Sequence, residues 1–206
     1  MATTDYHDYL IKDGQFIGAF EAMYQNCPDP WGQDSLDYLS HDLALPLLSR
    51  RRYHQLLDLG CGKGRLTQRL QVATGATVTA IDISPTAVAA AQARYPEIQF
   101  LAAPIPPLPF PDASFDLVVS AELLWYVLPQ LPALFAEIQR VLIPGGHYLM
   151  VQQFYQPGEQ KYGNEMMQSP ADLLPMLPFQ VVQEIEVNRF SNYKYIALVA
   201  HQPTAS

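Results

Sequence analysis

The residues best suited to chemistry stand together in "LLDLGCGKGRLT", residues 56–67. An acid, Asp58, precedes Gly60, Gly62 and Gly64, which alternate with other residues. Glycines at such a turn let a ligand approach the backbone, and free amides opening the next helix favour a negative group. Gly60 is read as the tight turn, Gly62 as the point of closest approach, and Gly64 as the helix opening. A second acid, Asp82, ends the run "ATVTAID" 18 residues past Gly64. That is close to the roughly 20-residue offset at which a carboxylate meets ribose hydroxyls. The third glycine comes one residue too early for the dinucleotide fingerprint G-x-G-x-x-G. The pocket is therefore expected to hold a nucleoside, with no pyrophosphate requirement. A plainer reading makes Asp82 only the residue leading into the helix "SPTAV".

Alternating elements must position these groups. From about residue 54, "YHQLLDL", "ATVTAID", "EIQFLA", "SFDLVVSA" and "HYLMVQQF" read as strands, with "IPGG" at 143–146 as a turn. "RLTQRLQVAT", "SPTAVAAAQARY" and "QLPALFAEIQRVL" have helical spacing between them, the second with Ser84 as N-cap and Pro85 at the first helical position. Such alternation predicts an α/β fold with a doubly wound parallel sheet covered by helices on both faces. "SPADLLPML" at 169–177 reads as a short helix, and "FQVVQEIEV" and "YKYIALVAH" as a closing hairpin, so the sheet is expected to end antiparallel. Residues 1–53 are expected to form an N-terminal helical cap, with Phe16, Phe20, Met23 and Tyr24 on one helix face and a second helix over 35–48. Residues 54–206 then form the ligand-binding unit, and the whole is effectively one domain.

Composition narrows the ligand. The chain has 206 residues, 49% hydrophobic and 16% charged, which describes a globular protein with a real core. Twelve basic residues against 20 acidic ones give a net charge of −8. The one basic cluster, "RRR" at 50–52, is read as a solvated linker, so nucleic acid is disfavoured as partner. No apolar run approaches membrane-span length and no leader pattern opens the chain, so no membrane partner is expected. Cys27 and Cys61 make no disulfide framework, and a cytoplasmic location follows from that reading. His41, His54 and His147 lack metal-ligand spacing, and no metal is expected.

With these residues in view, the chain resembles class I S-adenosylmethionine-dependent methyltransferases. "LLDLGCGKG" is similar to that family's first motif, "AIDIS" to its second-strand acid, "LPFPDASFDLVVS" to the approach to the fourth strand, and "LIPGGHYLMV" to the start of the fifth. Together they span about residues 54–152. The resemblance implies a Rossmann-like seven-stranded sheet with an antiparallel last strand, and S-adenosylmethionine as cofactor, S-adenosylhomocysteine as product. It implies that Gly60, Gly62 and Gly64 line the methionine and ribose portions, that Asp58 helps hold the amino group, and that Asp82 binds the ribose hydroxyls. Ile83 would pack on adenine and Ser120 would sit beside the methionine portion. Relatives with an "LPFPD-SFD" segment usually carry an acid where this chain has Pro104, so adenine recognition passes to backbone near Ala103 and Ile105. "DPW" at 29–31 and "SAELLWYV" at 120–127 are further similar to nodulation-type N-methyltransferases, which would place Trp31 over the cofactor.

Methyl transfer from a sulfonium asks the protein mainly to align the acceptor and exclude water. Glu122, just past the fourth strand, could take a proton from an ammonium or hydroxyl, and Tyr126 and Trp125 could wall the site. Each has a plainer reading: a solvated acid, or ordinary packing. Tyr155, Lys161, Tyr162, Asn164 and Glu165, in the loop 152–168, could read a substrate. The expectation is methyl transfer to a small-molecule acceptor, leaning towards nitrogen, by a monomer or homodimer. Two alternatives stay open: a cofactor-binding module without transfer activity, and a nicotinamide-dependent oxidoreductase, which the glycine spacing disfavours.

Overall fold

The computed structural model describes residues 5–35, 38–49, 51–155, 158–159, 162–163, 166–189 and 193–201, with side chains as far as Val187. Seven strands form one sheet: β1 (Gln55–Leu59), β2 (Thr77–Asp82), β3 (Gln99–Ala102), β4 (Phe115–Ala121), β5 (Leu142–Tyr155), β6 (Gln180–Arg189) and β7 (Tyr193–His201). Their spatial order is β3-β2-β1-β4-β5-β7-β6. The first five run parallel, and β7 is antiparallel to both β5 and β6. Strand order reverses between β1 and β4, whose carboxyl ends therefore flank the crevice where open α/β sheets bind ligands.

The strands read as apolar runs because both faces of the sheet are covered. Leu56 of β1 faces one core with Val78, Leu117 and Leu149, packed under α2 (Leu39–Leu48) and α3 (Arg65–Thr74). Leu57 and Leu59 face the other, with Val118, Tyr148 and Met150, under α5 (Leu131–Val141). The helix α4 (Pro85–Arg94) starts where expected, with the Ser84 hydroxyl accepting the Ala87 amide at 3.1 Å. Between α5 and the regular part of β5, "IPGG" is an excursion inside a strand. Pairing steps from Phe115↔Leu142 to Leu117↔His147, so the longer strand loops out.

The N-terminal segment differs from the expected pair of helices. Phe16 belongs to a small hairpin, Ile11–Lys12 against Gln15–Phe16, and α1 begins only at Phe20 (Phe20–Asn26). Gly14 and Gly18, with φ of 76° and 57°, turn the chain at both sides of Phe16, which no helix permits. The second helix starts at Leu39 rather than Ser35, with Leu36 and Asp37 outside the described residues, and it joins the helix layer of the sheet. Residues 5–31 instead make a separate small core of Leu10, Met23, Tyr24 and Cys27 against Ala87 of α4. Likewise "SPADLLPML" gives only α6 (Pro170–Leu173) followed by one 3₁₀ turn, since Pro175 has no amide to continue the helix. The turn of the closing hairpin, residues 190–192, lies outside the described residues. Among the described residues no helix is long and apolar enough to cross a membrane.

Candidate active site

The loop after β1 closes on the end of β2. The amides of Gly60 and Cys61 both donate to the Ile81 carbonyl, at 2.8 and 3.0 Å. The Gly62 amide donates to Asp82 Oδ2 at 2.9 Å, and the Ser84 amide to Oδ1 at 2.9 Å. Gly60, Gly62 and Gly64 have φ of 74°, 51° and 80°, in the left-handed region that a Cβ disfavours. Their surroundings differ. A Cβ on Gly62 would collide with Gln33 Nε2 and stand 2.9 Å from the Tyr24 hydroxyl, side chains of the cap. A Cβ on Gly64 would meet Phe100 Cζ at 2.8 Å and Ala91, so this glycine lets α3 pack on β3 and α4. Gly64 is thus placed for packing within the sheet layers, and Gly62 for close packing under Gln33 and Tyr24 of the cap.

Asp82 is 7% exposed, and burial raises its pKa against the pull of its backbone amides. The Gly62, Ser84 and Ile83 amides all favour its charged form, and of the four lone-pair positions of a carboxylate one is left for a further hydroxyl. Ile83 beside it is 51% exposed, an apolar surface at the strand end. Asp58 is fully buried and accepts the Thr67 hydroxyl of α3 at 2.6 Å; desolvation pushes its pKa up to about 6. Its carboxylate therefore anchors α3. The Ser120 hydroxyl shares a 2.6 Å hydrogen bond with the Tyr148 hydroxyl inside the fold. The Ala103 amide donates to the Asp82 carbonyl at 2.9 Å, so the donor expected for adenine is spent within the fold. Ile105 is buried in the core under α5.

Glu122 follows β4 with φ of 57°, rare for a residue with a side chain and common where a site holds its geometry under strain. Its amide donates to the Val151 carbonyl, while its Oε2 accepts the Gln153 amide at 3.0 Å. Burial, the largest influence, pushes its pKa up to about 7; the Gln153 amide and the Ser40 side chain partly oppose it. Tyr126 meets Trp31 and Phe20 at ring-centre distances of 5.8 and 5.3 Å, and Phe16 at 6.1 Å. Tyr6 and Tyr24 lie 5.3 and 5.9 Å from Trp31, and Tyr162 lies 5.2 Å from Phe16. Trp125 points elsewhere: its indole donates to the Gln153 carbonyl, and its ring packs on Phe154 and Tyr155. The structure thus brings Trp31 and Tyr126 together and separates Trp125 from them. Of the loop candidates, Lys161, Asn164 and Glu165 lie outside the described residues.

Three cap residues join the site without any warning in the sequence. Gln33 Oε1 accepts the Tyr24 hydroxyl at 3.2 Å and the Lys63 amide at 3.4 Å, directly over the glycine loop. Tyr38 has a buried hydroxyl with no partner among the described residues, in the electrostatic neighbourhood of Glu122, Tyr6, Asp29 and Arg65. Glu21 of α1 accepts the Ser84 and Thr86 hydroxyls at 2.5 and 2.6 Å, which docks the cap on α4 beside Asp82. All three come from far upstream of the motif they meet, so spacing gives no signal for them. A buried carboxylate with a free lone-pair position, an exposed apolar residue beside it, a loop bare of side chains and an orphaned hydroxyl fit a nucleoside-bearing sulfonium cofactor.

Residues 57–150 match the protein family described as "Methyltransferase domain". An uncharacterized methyltransferase of Synechocystis is 36% identical over 112 residues, covering 54% of this chain and 52% of that protein. A malonyl-[acyl-carrier protein] O-methyltransferase of Serratia marcescens is 35% identical over 116 residues, 55% of this chain and 45% of that one. The chain thus spans about half the length of these curated relatives. Among solved structures, geranyl diphosphate C-methyltransferase from Streptomyces coelicolor, in complex with S-adenosyl-L-homocysteine, has a TM-score of 0.66 at 17% identity, covering 79% of this chain and 74% of that one. The cyclase SpnF has a TM-score of 0.68 at 20% identity, covering 80% of each chain. Matched residues, strand order and glycine loop together make this chain similar to methyltransferases in sequence over residues 57–150 and in fold over about four fifths of its length.

Proposed function

We propose that the protein methylates a small molecule, on nitrogen, at the carboxyl edge of its sheet. The observation that carries this reading is Glu122, a carboxyl group pushed to about pKa 7 and set next to the aromatic cluster of Trp31 and Tyr126. S-adenosylmethionine, when bound, supplies an electrophilic methyl group to an acceptor lone pair. Asp82 would accept a ribose hydroxyl, and Ile83 would cover one face of the adenine. The aromatic rings would exclude water and favour a cationic acceptor through their faces. Glu122, ionised, would take the proton that an ammonium must lose before its nitrogen can attack. The short resemblance of "DPW" and "SAELLWYV" to nodulation-type N-methyltransferases supports nitrogen.

The curated relative that acts on an acyl-carrier protein is an O-methyltransferase by name, and the solved neighbour is a C-methyltransferase, so the acceptor atom needs its own experiment. Calorimetry with S-adenosylhomocysteine is expected to show saturable binding, weakened about tenfold or more in Asp82→Ala, since a hydrogen bond to a charged group is worth roughly 1.5–3 kcal/mol. A labelled-methyl assay over amines, phenols and carboxylates is expected to give product with amines. Product confined to phenols or carboxylates defeats the nitrogen reading. Binding with no product from any class favours the cofactor-binding module, and absence of binding defeats the cofactor assignment itself.

A further inference from the structure

One row of β5 breaks its own pattern. Tyr148, Met150 and Phe154 alternate along the strand into the apolar core under α5, and all three are buried. Gln152 stands in the same row and is fully buried too. Burying an amide is unfavourable unless its donors and acceptor are met, and a leucine or methionine would fill the place without that cost. Gln152 spends its polar groups on one turn. Its Oε1 accepts the Leu124 amide at 3.1 Å. Its Nε2 donates to Glu122 Oε2 at 3.4 Å and to the Gln153 carbonyl at 3.3 Å. The turn leaves β4 after Ala121, which still pairs with Val151, and Glu122 carries it round with a φ of 57°. One buried side chain therefore ties down both the Glu122 carboxylate and the amide two residues on.

The two carboxylate oxygens are held unequally. Oε2 takes the Gln153 amide at 3.0 Å as well as Gln152 Nε2, which fills its two lone-pair positions. Oε1 is left as the oxygen on which a proton can land. The titratable groups that feel Glu122 are Tyr38 of the cap and Tyr126. Burial raises both phenols, Tyr38 to about 12, so both are neutral where Glu122 titrates. Its charged form is supported by dipoles, the Gln153 amide and the Ser40 side chain among them, and no cation acts on it among the described residues. We propose that Gln152 is a positioning residue for Glu122, tying Oε2 to β5 and leaving Oε1 to take the proton of the acceptor. The inference rests on the reading of Glu122 as the base. Removing the Gln152 donor weakens only the ionised form, so the carboxyl then holds its proton to higher pH.

Two variants separate this role from plain support of the turn. Gln152→Met fills the row and removes both the acceptor and the donor. Gln152→Glu keeps an acceptor for the Leu124 amide and replaces the donor by a second acid. The Glu122 carboxyl carbon is followed by NMR in the ligand-free full chain, its signal identified by its loss in Glu122→Gln. Its midpoint is expected to rise by about half a unit to one unit in Gln152→Met. A larger rise is expected in Gln152→Glu, where two neighbouring carboxyls titrate as a pair. With an amine acceptor, the midpoint of kcat/KM against pH is expected to move with the NMR midpoint. An unchanged NMR midpoint in both variants overturns the proposal, as does a loss of activity in Gln152→Met that is equal at every pH. Where Gln152→Met fails to fold, Gln152→Glu decides alone. A moved NMR midpoint beside a rate that ignores pH defeats the reading of Glu122 as the base, and upholds the hold of Gln152 on its carboxylate.

Discussion

Glu122 concentrates the chemistry of the site in one residue. It holds a left-handed backbone, accepts the Gln153 amide and carries a pKa near 7. A base must be ionised to take a proton, so kcat/KM for a weakly basic amine is expected to rise with pH through about 7. Glu122→Gln is expected to remove that rise and lower the plateau roughly 10²-fold or more. If Glu122 only held the Gln153 amide, glutamine would still accept it and the pH profile would persist. At this scale the sequence was unevenly legible. Asp82 and Gly62 announced themselves because a left-handed turn closed on a carboxylate forces residue type and spacing on a loop. Gly64 looked identical, yet its glycine is demanded by Phe100 and Ala91, and only packing reveals that. Ser120 and Ala103 stand at the expected strand ends, but their polar groups are used within the fold, which spacing does not encode. Gln33 and Tyr38 reach the site across a loop, and no local pattern marks them.

Among the contacts that join the cap to the sheet's helix layer, Glu21 supplies several. Its carboxylate takes two hydroxyls and the Thr86 amide at the start of α4, and those hydrogen bonds lower its pKa. Glu21→Ala is expected to loosen the cap without unfolding the sheet. Hydrogen exchange is expected to quicken across Phe20–Asn26 while the amides of β1 and β4 keep their protection. Uniform quickening of both would show that cap and sheet open as one unit. The parallel strands and their helices were readable in order because buried strands are continuous apolar runs bounded by caps and glycines. The hairpin holding Phe16 was not, because four residues of strand are too few to show a period, and aromatic spacing near helical repeat is produced here by a shared cluster rather than by one helix face.

Across the whole molecule, buried acids set an unusual response to pH. Burial pushes Asp58 to about 6 and Glu122 to about 7, and raises Asp82 as well. A raised carboxyl pKa favours the protonated form in the folded state, so the unfolded chain releases its protons first as pH rises. Stability from these groups is present below about pH 4 and is lost as pH climbs through about 6 to 7. Glu137, held at about 2 by Arg140, acts in the opposite sense, and its contribution is lost only as pH falls through that value. The ligand-free protein is therefore expected to be most stable near pH 4 to 5. Urea unfolding at that pH and at about pH 8 is expected to differ by on the order of 3 kcal/mol, largely abolished in the Asp58→Asn, Glu122→Gln double variant. Equal stability at both values would show that these carboxyls stay ionised.

The sheet ends on β6, whose outer side has no neighbouring strand among the described residues. Ten residues of open ladder form a template on which another chain can grow. Glu184 and Glu186 project as exposed charges along it, and stacking a second copy there would line up like charges. Replacing both with valine is expected to turn a dispersed protein into one that forms fibrils on standing, followed by light scattering and thioflavin fluorescence, with cofactor binding intact in the fraction that stays in solution. Two acids on an edge strand, four strands away from the one that carries the glycine loop, thus protect the concentration at which the loop can be used.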